Sequence, residues 1–354
     1  MQLDLWYING TSFHLGRHGL GEEESGEHLG SDSLFAALVA RLAEARGADA
    51  AERFVQAMRS DSPPFVLSSA FPRAGDVRLF PTPLESPELD SDAPKHKDLK
   101  KCKFVSRAVF NALLAGKSLA QVFPSQEGRA VEKVLFQNGK VLLDRSEVGA
   151  LPQSVRCDEK IWTIEKRPRV VVGRVASNSQ IYHTGRTVFQ EGCGLWFAVR
   201  WLTREDALAQ TLAAALADLA QAGIGGKRNV GFGHCTIERR GTDELPDADG
   251  AAWVSLSRYL PRQDEMDALR NGRAYAIQSV GGWVQSPVAK SERRRAVRMI
   301  VEGSVLGRVP RVAPGQIVDV RPVYPNAPSL GHPVWRNGLA FAVGMQTRAS
   351  PKEA

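Results

Sequence analysis

Three histidines, His14, His18 and His28, fall in one polar stretch, FHLGRHGLGEEESGEHLGSD. An imidazole that titrates near neutrality can act as general acid or base at a phosphate. Such chemistry also needs a cation and a second proton carrier, for which Arg17 or Lys227 and Tyr7 are the candidates. Several features weigh against it. His14 and His18 have the i,i+4 spacing of zinc ligands on a helix, but the intervening LGR and following GLG disfavour a helix. The run Glu22-Glu23-Glu24 beside them would repel a polyanion, and loop histidines are commonly plain polar residues.

A second stretch raises different chemistry. Gly223 to Gly233 reads GIGGKRNVGFG, with five glycines around a Lys-Arg pair. It fails as a Walker A loop, because Gln221 stands at the first glycine position and Arg228 replaces the magnesium-binding hydroxyl. It fails as a dinucleotide fingerprint too: Arg228 occupies the third glycine position, and the loop follows a helix and precedes a strand. Glycines permit positive φ and close approach, and successive backbone amides can form an anion-binding concavity. Gly225, Gly226, Lys227, Arg228, Asn229, Gly231 and Gly233 are therefore the first candidates for a clamp on single-stranded RNA. The plain alternative is a flexible helix-to-strand link, for which one or two glycines would suffice.

The elements that must hold these stretches can be read from pattern. LDLWYI predicts a first strand. Ser31 or Asp32 can cap a helix with Leu34, Leu38 and Leu42 on one face. Residues 61–94 are proline-rich, with short extended runs in PPFVLSSAFP and VRLFPTP. VLFQNGKVLL reads as a hairpin with Asn138-Gly139 as a type I′ turn; it is either a core hairpin or one projecting from the body. RPRVVVGRVAS and GLWFAVRWL read as strands. TREDALAQTLAAALADLAQAG reads as a helix, with capping-box-like spacing of Thr203 and Asp206 and with Gly223 as its stop. GHCTIERR follows as a strand. The order approximates β-α-β-β-α-β, the arrangement of ferredoxin-like and RRM modules. After a linker at Asp243–Ala251 comes a second, strand-rich part. The expected fold is α+β: two ferredoxin-like (RRM-like) domains with a glycine-rich loop and a hairpin insertion. The first covers 1–242, with the insertion at about 121–165, and the second covers 251–354.

Among the 354 residues, 46 Lys and Arg outnumber 39 Asp and Glu, giving a net charge of +7, which favours polyanion partners. The positive residues cluster at KHKDLKKCK, EKRPR and KSERRRAVR. Lys100, Lys101, Lys103 and Lys166, with Arg167 and Arg169, are candidate phosphate contacts; a solvated basic face is the alternative. Arg293, Arg294 and Arg295 cannot all face one way on a strand. Phe13, Trp196, Phe232 and Trp283 are candidate stacking platforms for bases, each with a core role as the alternative. The four cysteines contain no C-x-x-C pair, which argues against a zinc site or disulfide framework and suits a cytoplasmic location. No apolar run reaches membrane-spanning length. No cofactor or metal is expected.

The helix, glycine-rich loop and last strand resemble those of the RAMP superfamily of CRISPR proteins. GIGGKRNVGFG is similar in particular to the loop of the type III-A (Csm) effector subunit that holds the 5′ handle of the guide RNA. SDSLFAAL, PPFVLSSAFP, FPTP, KKCKFVS, EGSVLG and RNGLAFAVGM agree in order; the region from about Gln121 to Lys160 carries little of the likeness. The resemblance implies a non-catalytic subunit of a ribonucleoprotein. Its partners would be the crRNA 5′ handle, the large polymerase-like Csm subunit and the repeated backbone RAMP subunit, with no membrane. It also implies a thumb hairpin at the handle–guide junction, for which Asn138-Gly139 is the candidate. The rival from the same superfamily is a metal-independent endoribonuclease that processes precursor crRNA, with His14 or His18 as acid or base. A third class is a protein scaffold with no RNA contact.

Overall fold

The computed structural model describes residues 1–16, 24–84, 96–123, 133–172, 179–284, 292–323 and 330–346. His18, Arg17, Glu22 and Glu23 fall outside these residues, as do Lys95 and Lys290.

Strand β1 (Gln2–Asn9) is the second strand from one edge of the main sheet. After the two-residue β2 (Ser12–Phe13) come helices α1 (Ser31–Arg46) and α2 (Ala48–Arg59). Next are β3 (Phe65–Leu67), β4 (Phe71–Ala74) and β5 (Val77–Pro81), the extended runs expected in the proline-rich region. Helix α3 (His96–Lys101), β6 (Phe104–Ser106) and α4 (Arg107–Leu114) lead to β7 (Lys133–Phe136) and β8 (Val141–Asp144). A long ribbon follows, β9 (Trp162–Val172) and β10 (Ser179–Phe189), then β11 (Cys193–Trp201), α5 (Asp206–Ala222) and β12 (Thr236–Glu244).

The sheet order is β12-β1-β11-β4-β5-β6-β8-β7, with β3 also on β11. Its first four positions are antiparallel neighbours. They give the strand order expected of the β-α-β-β-α-β reading, with α1 and α5 as its two helices. The apolar stripes account for their packing: Leu34, Leu38 and Leu42 of α1 and Leu212, Leu216 and Leu219 of α5 are buried. Neither helix is capped as expected. Gly30 and Glu205 are the N-caps, and neither helix has a side-chain cap hydrogen bond. Ser31 and Asp32 are diverted to the C-terminal half instead: Ser31 Oγ accepts from Arg258 N at 3.0 Å, and Asp32 pairs with Arg336.

The hairpin at Asn138-Gly139 does not project. Its strands β7 and β8 close the far edge of the main sheet, with β8 parallel to β6. Val141, Leu142 and Leu143 are buried, which explains the apolar arms. The turn is not a two-residue type I′ turn, since Gln137, Asn138 and Gly139 all have positive φ. Gln137 turns its amide inward, where Oε1 accepts from Ile161 N at 2.8 Å and Nε2 donates to Trp162 O at 2.7 Å. The projecting hairpin is β9–β10, whose one sheet partner beyond itself among the described residues is β2.

In the C-terminal half β13 (Ala252–Ser255) is flanked by Val305–Gly307 and Ala342–Met345. The remaining described strands there pair two by two, most notably Ile277–Val280 with Val297–Ile300. The hydrophobic core runs unbroken from the main sheet into this half, through Val254, Leu256, Phe341 and Val343. Among the described residues no helix is long and apolar enough to cross a membrane.

Candidate nucleic-acid interface

The glycine-rich loop is a compact turn. Gly223, Gly225, Gly231 and Gly233 have φ between +81° and +88°, and Lys227 is left-handed at φ 57°. What approaches the stripped backbone is first the protein's own chain. Gly226 N donates to His14 O at 2.9 Å, and Gly233 N to Ser12 O at 2.8 Å. A Cβ on Gly225 would stand 2.5 Å from His14 O, one on Gly226 2.8 Å from His14 Cδ2, and one on Gly233 2.1 Å from Ile224 O. Only Gly231 faces open space. The glycines therefore seat the loop on the segment after β1 and leave its crown, Lys227 to Gly231, outermost. Asn229 and Gly231 are exposed there, and Lys227 and Arg228 half-buried.

The β9–β10 ribbon lies over this crown. Residues alternate along it, and the cross-strand pairs Arg169–Tyr182 and Arg186–Glu165 share one face. That face meets the loop: Lys227 Nζ stands 5.8 Å from the centre of the Tyr182 ring, and the Arg169 guanidinium 5.4 Å from that of Phe232. Arg169 also donates to Val230 O at 3.4 Å. Lys166 and Arg167 are exposed on the same ribbon. Near its free end Val170, Val172 and Ile181 are each more than half exposed, on the face turned from the loop. Arg167 and Arg169 of the run EKRPR and the glycine-rich loop, distant in sequence, thus share one basic surface, whereas Lys166 lies on the ribbon's other face.

Other candidates fall elsewhere. Lys103 pairs with Glu27, which is buried, at 2.8 Å, so its charge is internally matched. Lys100 and Lys101 are exposed on α3, and Lys101 lies against Gly139 on the sheet extension, away from the loop's own contacts. Phe13, Trp196 and Phe232 are core residues rather than platforms; Trp283 is 54 % exposed. Of the three arginines, 293 and 295 are exposed, but Arg294 points inward, where burial and then the charge of Arg336 pull its guanidinium down to about 10.

His14 is buried, with Nδ1 2.7 Å from Gly185 O, so it fastens the ribbon to the segment that carries the loop. Tyr7 is buried beneath Arg73, whose guanidinium lies 4.3 Å from its ring centre. Burial pushes the Tyr7 hydroxyl up. Among the described residues no group of three or more His, Cys, Asp or Glu is placed to hold a metal.

The strand order of the first half, with its basic, glycine-rich link between the last helix and strand, agrees with the family resemblance read from the sequence. Comparison with known proteins sharpens that resemblance. Residues 248–345 match the family of the CRISPR Csm4 C-terminal domain. The chain is 22 % identical over 320 residues to the Csm4 protein of Methanocaldococcus jannaschii, covering 84 % of this chain and 83 % of that one. It is 25 % identical to those of Thermococcus onnurineus and Mycobacterium tuberculosis, covering 89 % and 91 % of this chain and 91 % of each relative. Among solved structures it shares its fold with a chain of a Csm3–Csm4 subcomplex of the type III-A interference complex. There the TM-score is 0.63 at 16 % identity, covering 97 % of this chain and 99 % of that one. It also matches a chain of a Csm1–Csm4 cassette bound to cA4, with TM-score 0.57 at 18 % identity, covering 99 % and 100 %. The likeness to the type III-A effector subunit read from the sequence is borne out, and its particular form is Csm4-like.

Proposed function

We propose that this chain is a non-catalytic crRNA-binding subunit of a type III-A CRISPR effector ribonucleoprotein. In this reading it grips the repeat-derived 5′ handle and joins the large polymerase-like subunit to the repeated backbone subunit. The relatives solved as Csm3–Csm4 and Csm1–Csm4 assemblies support both protein partners. The observation that carries the RNA reading is the closure of the β9–β10 ribbon over the loop, which brings Arg167 and Arg169 to the same side as Lys227 and Arg228, beside the exposed Asn229 and Gly231, with Lys166 exposed on the ribbon's other face. Such contacts hold a ribose-phosphate chain without reading its sequence. Gly225, Gly226 and Gly233 serve the grip by shaping the loop. The ribbon takes the place of the Asn138-Gly139 hairpin as the thumb.

Replacing Lys227 and Arg228 together by alanine is expected to weaken handle binding by roughly 1–3 kcal/mol while leaving the melting temperature unchanged. Unaltered crRNA retention in the purified particle would remove the loop from the interface. The non-catalytic assignment is supported by the structural engagement of His14. Its test is a single-turnover assay on repeat RNA in EDTA: cleavage that disappears in His14→Ala would restore the endoribonuclease reading.

A further inference from the structure

The C-terminal half carries a second two-stranded ribbon with a composition unlike that of a core element. Ile277–Val280 pairs with Val297–Ile300, and beyond a bend Trp283–Val284 pairs with Glu292–Arg293. Trp283 and Arg293 stand directly opposite one another, and the guanidinium lies 5.1 Å from the indole centre. The indole is nevertheless 54 % exposed, whereas Trp162, Trp196 and Trp253 are fully buried. Cross-strand register puts Ile277, Ser279 and Arg298 on one face, and Tyr275 and Ile277 are also exposed.

The fully exposed charge on these paired strands has one sign. Arg293 and Arg298 are exposed, and among the described residues neither joins a salt bridge. Arg295 spends its side chain on Asp319 O, and Arg294 turns into the interior. Glu292, the carboxylate in the paired strands, has a buried Oε2. A protein partner would have to bring several carboxylates in the right places, whereas a nucleic-acid strand brings a charge with every residue and a planar base for the ring. Aromatic rings interleaved with unmatched arginines are the recurring form of a single-strand contact.

We propose that this ribbon is a second contact for single-stranded RNA, with Trp283 as the stacking platform for a base and Arg293 and Arg298 as phosphate contacts. It rests on the RNA-binding reading above but is separable from it, because it lies on residues that the glycine-rich loop does not touch.

The test uses the full chain and a labelled single-stranded oligouridylate of roughly ten nucleotides. Trp283→Ala should weaken binding by roughly 5- to 150-fold, and Trp283→Phe should recover most of it, since a ring is kept. Arg293→Gln with Arg298→Gln should lower the slope of log affinity against log salt by about 1.4, at about 0.7 per phosphate contact. Ultraviolet crosslinks should map to the peptide holding Trp283 and persist in the Lys227→Ala, Arg228→Ala variant. Affinity and slope unchanged in these variants would overturn the proposal while leaving the loop in place. So would release of the chain from its protein partners with RNA binding intact, which would make the ribbon a protein interface. Absence of RNA binding by the unaltered chain and its assembled particle would overturn both readings.

Discussion

Arginines at the seam between the two halves and arginines at the basic surface come from the same kind of sequence, yet they do opposite things. At the seam Arg336 is almost wholly buried and faces the equally buried Asp32, and Glu302, paired with Arg258 at 3.1 Å, accepts from Ser69 Oγ of the first half at 2.6 Å. At the surface Arg169 rests on Phe232, and Arg167 and Arg293 look outward. Charges of the first kind fix how the halves meet, and removing one leaves its partner stranded in a low-dielectric interior. Charges of the second kind contribute little to folding and are available to a ligand. A basic residue's role follows from what already faces it, which a count of positive residues does not convey.

The comparison is broken most forcefully at the seam. Arg336→Ala is expected to cost about 3–5 kcal/mol of stability, because Asp32 is left buried and unpaired. Chemical denaturation measures this, and the loss should be far smaller in the Asp32→Asn, Arg336→Met double variant. Next comes the loop's framework. Gly233→Ala places a side chain at φ +85° against Ile224 O, so roughly 1–3 kcal/mol of stability should go, together with RNA binding. A change that spares folding but loses RNA would mean that the loop backbone is not set by its own packing.

A third test is by pH. Burial alone would raise the Glu302 carboxyl, but the charges of His28 and Arg258 hold it well below its ordinary 4.5. A depressed carboxylate contributes stability that is fully present above pH 4.5 and is lost as pH falls through the folded-state value. Glu302→Gln should therefore flatten the acid limb of the stability profile, measured by denaturant midpoints across acidic pH. The smallest effect is expected from Arg169→Ala: about 0.5–1 kcal/mol in stability from the lost ring contact. Its larger consequence should be weaker RNA binding, and the reverse pattern would move Arg169 to the structural class.

Much of this was legible beforehand. The apolar stripes of α1 and α5 and the β-enriched runs gave the strand order of the first half, because periodicity reports which face is buried. The glycine-rich loop stood out for its composition, but the reason for its glycines did not. They make room for Ser12 and His14, contacts between segments some 200 residues apart that no local pattern encodes. The Asn138-Gly139 pair marks a hairpin, but a turn does not tell an edge of the core from a projection. Ser31 and Asp32 looked like caps because local rules cannot see Arg258 and Arg336 arriving from the other half. Lys103 looked like a phosphate contact because Glu27, its partner, lies far upstream.

The placement of β1 governs the order in which the molecule can be completed. Asp4 sits opposite Val199 on one side and Thr242 on the other. Strand β1 must therefore wait for partners, β11 and β12, that are made much later in the chain. Sheets assembled from such distant segments form slowly, and their unpaired strands are prone to aggregation meanwhile. A truncation that stops before Thr236 would leave β1 with a naked edge, so shortened versions meant to isolate the glycine-rich loop should retain everything through Glu244.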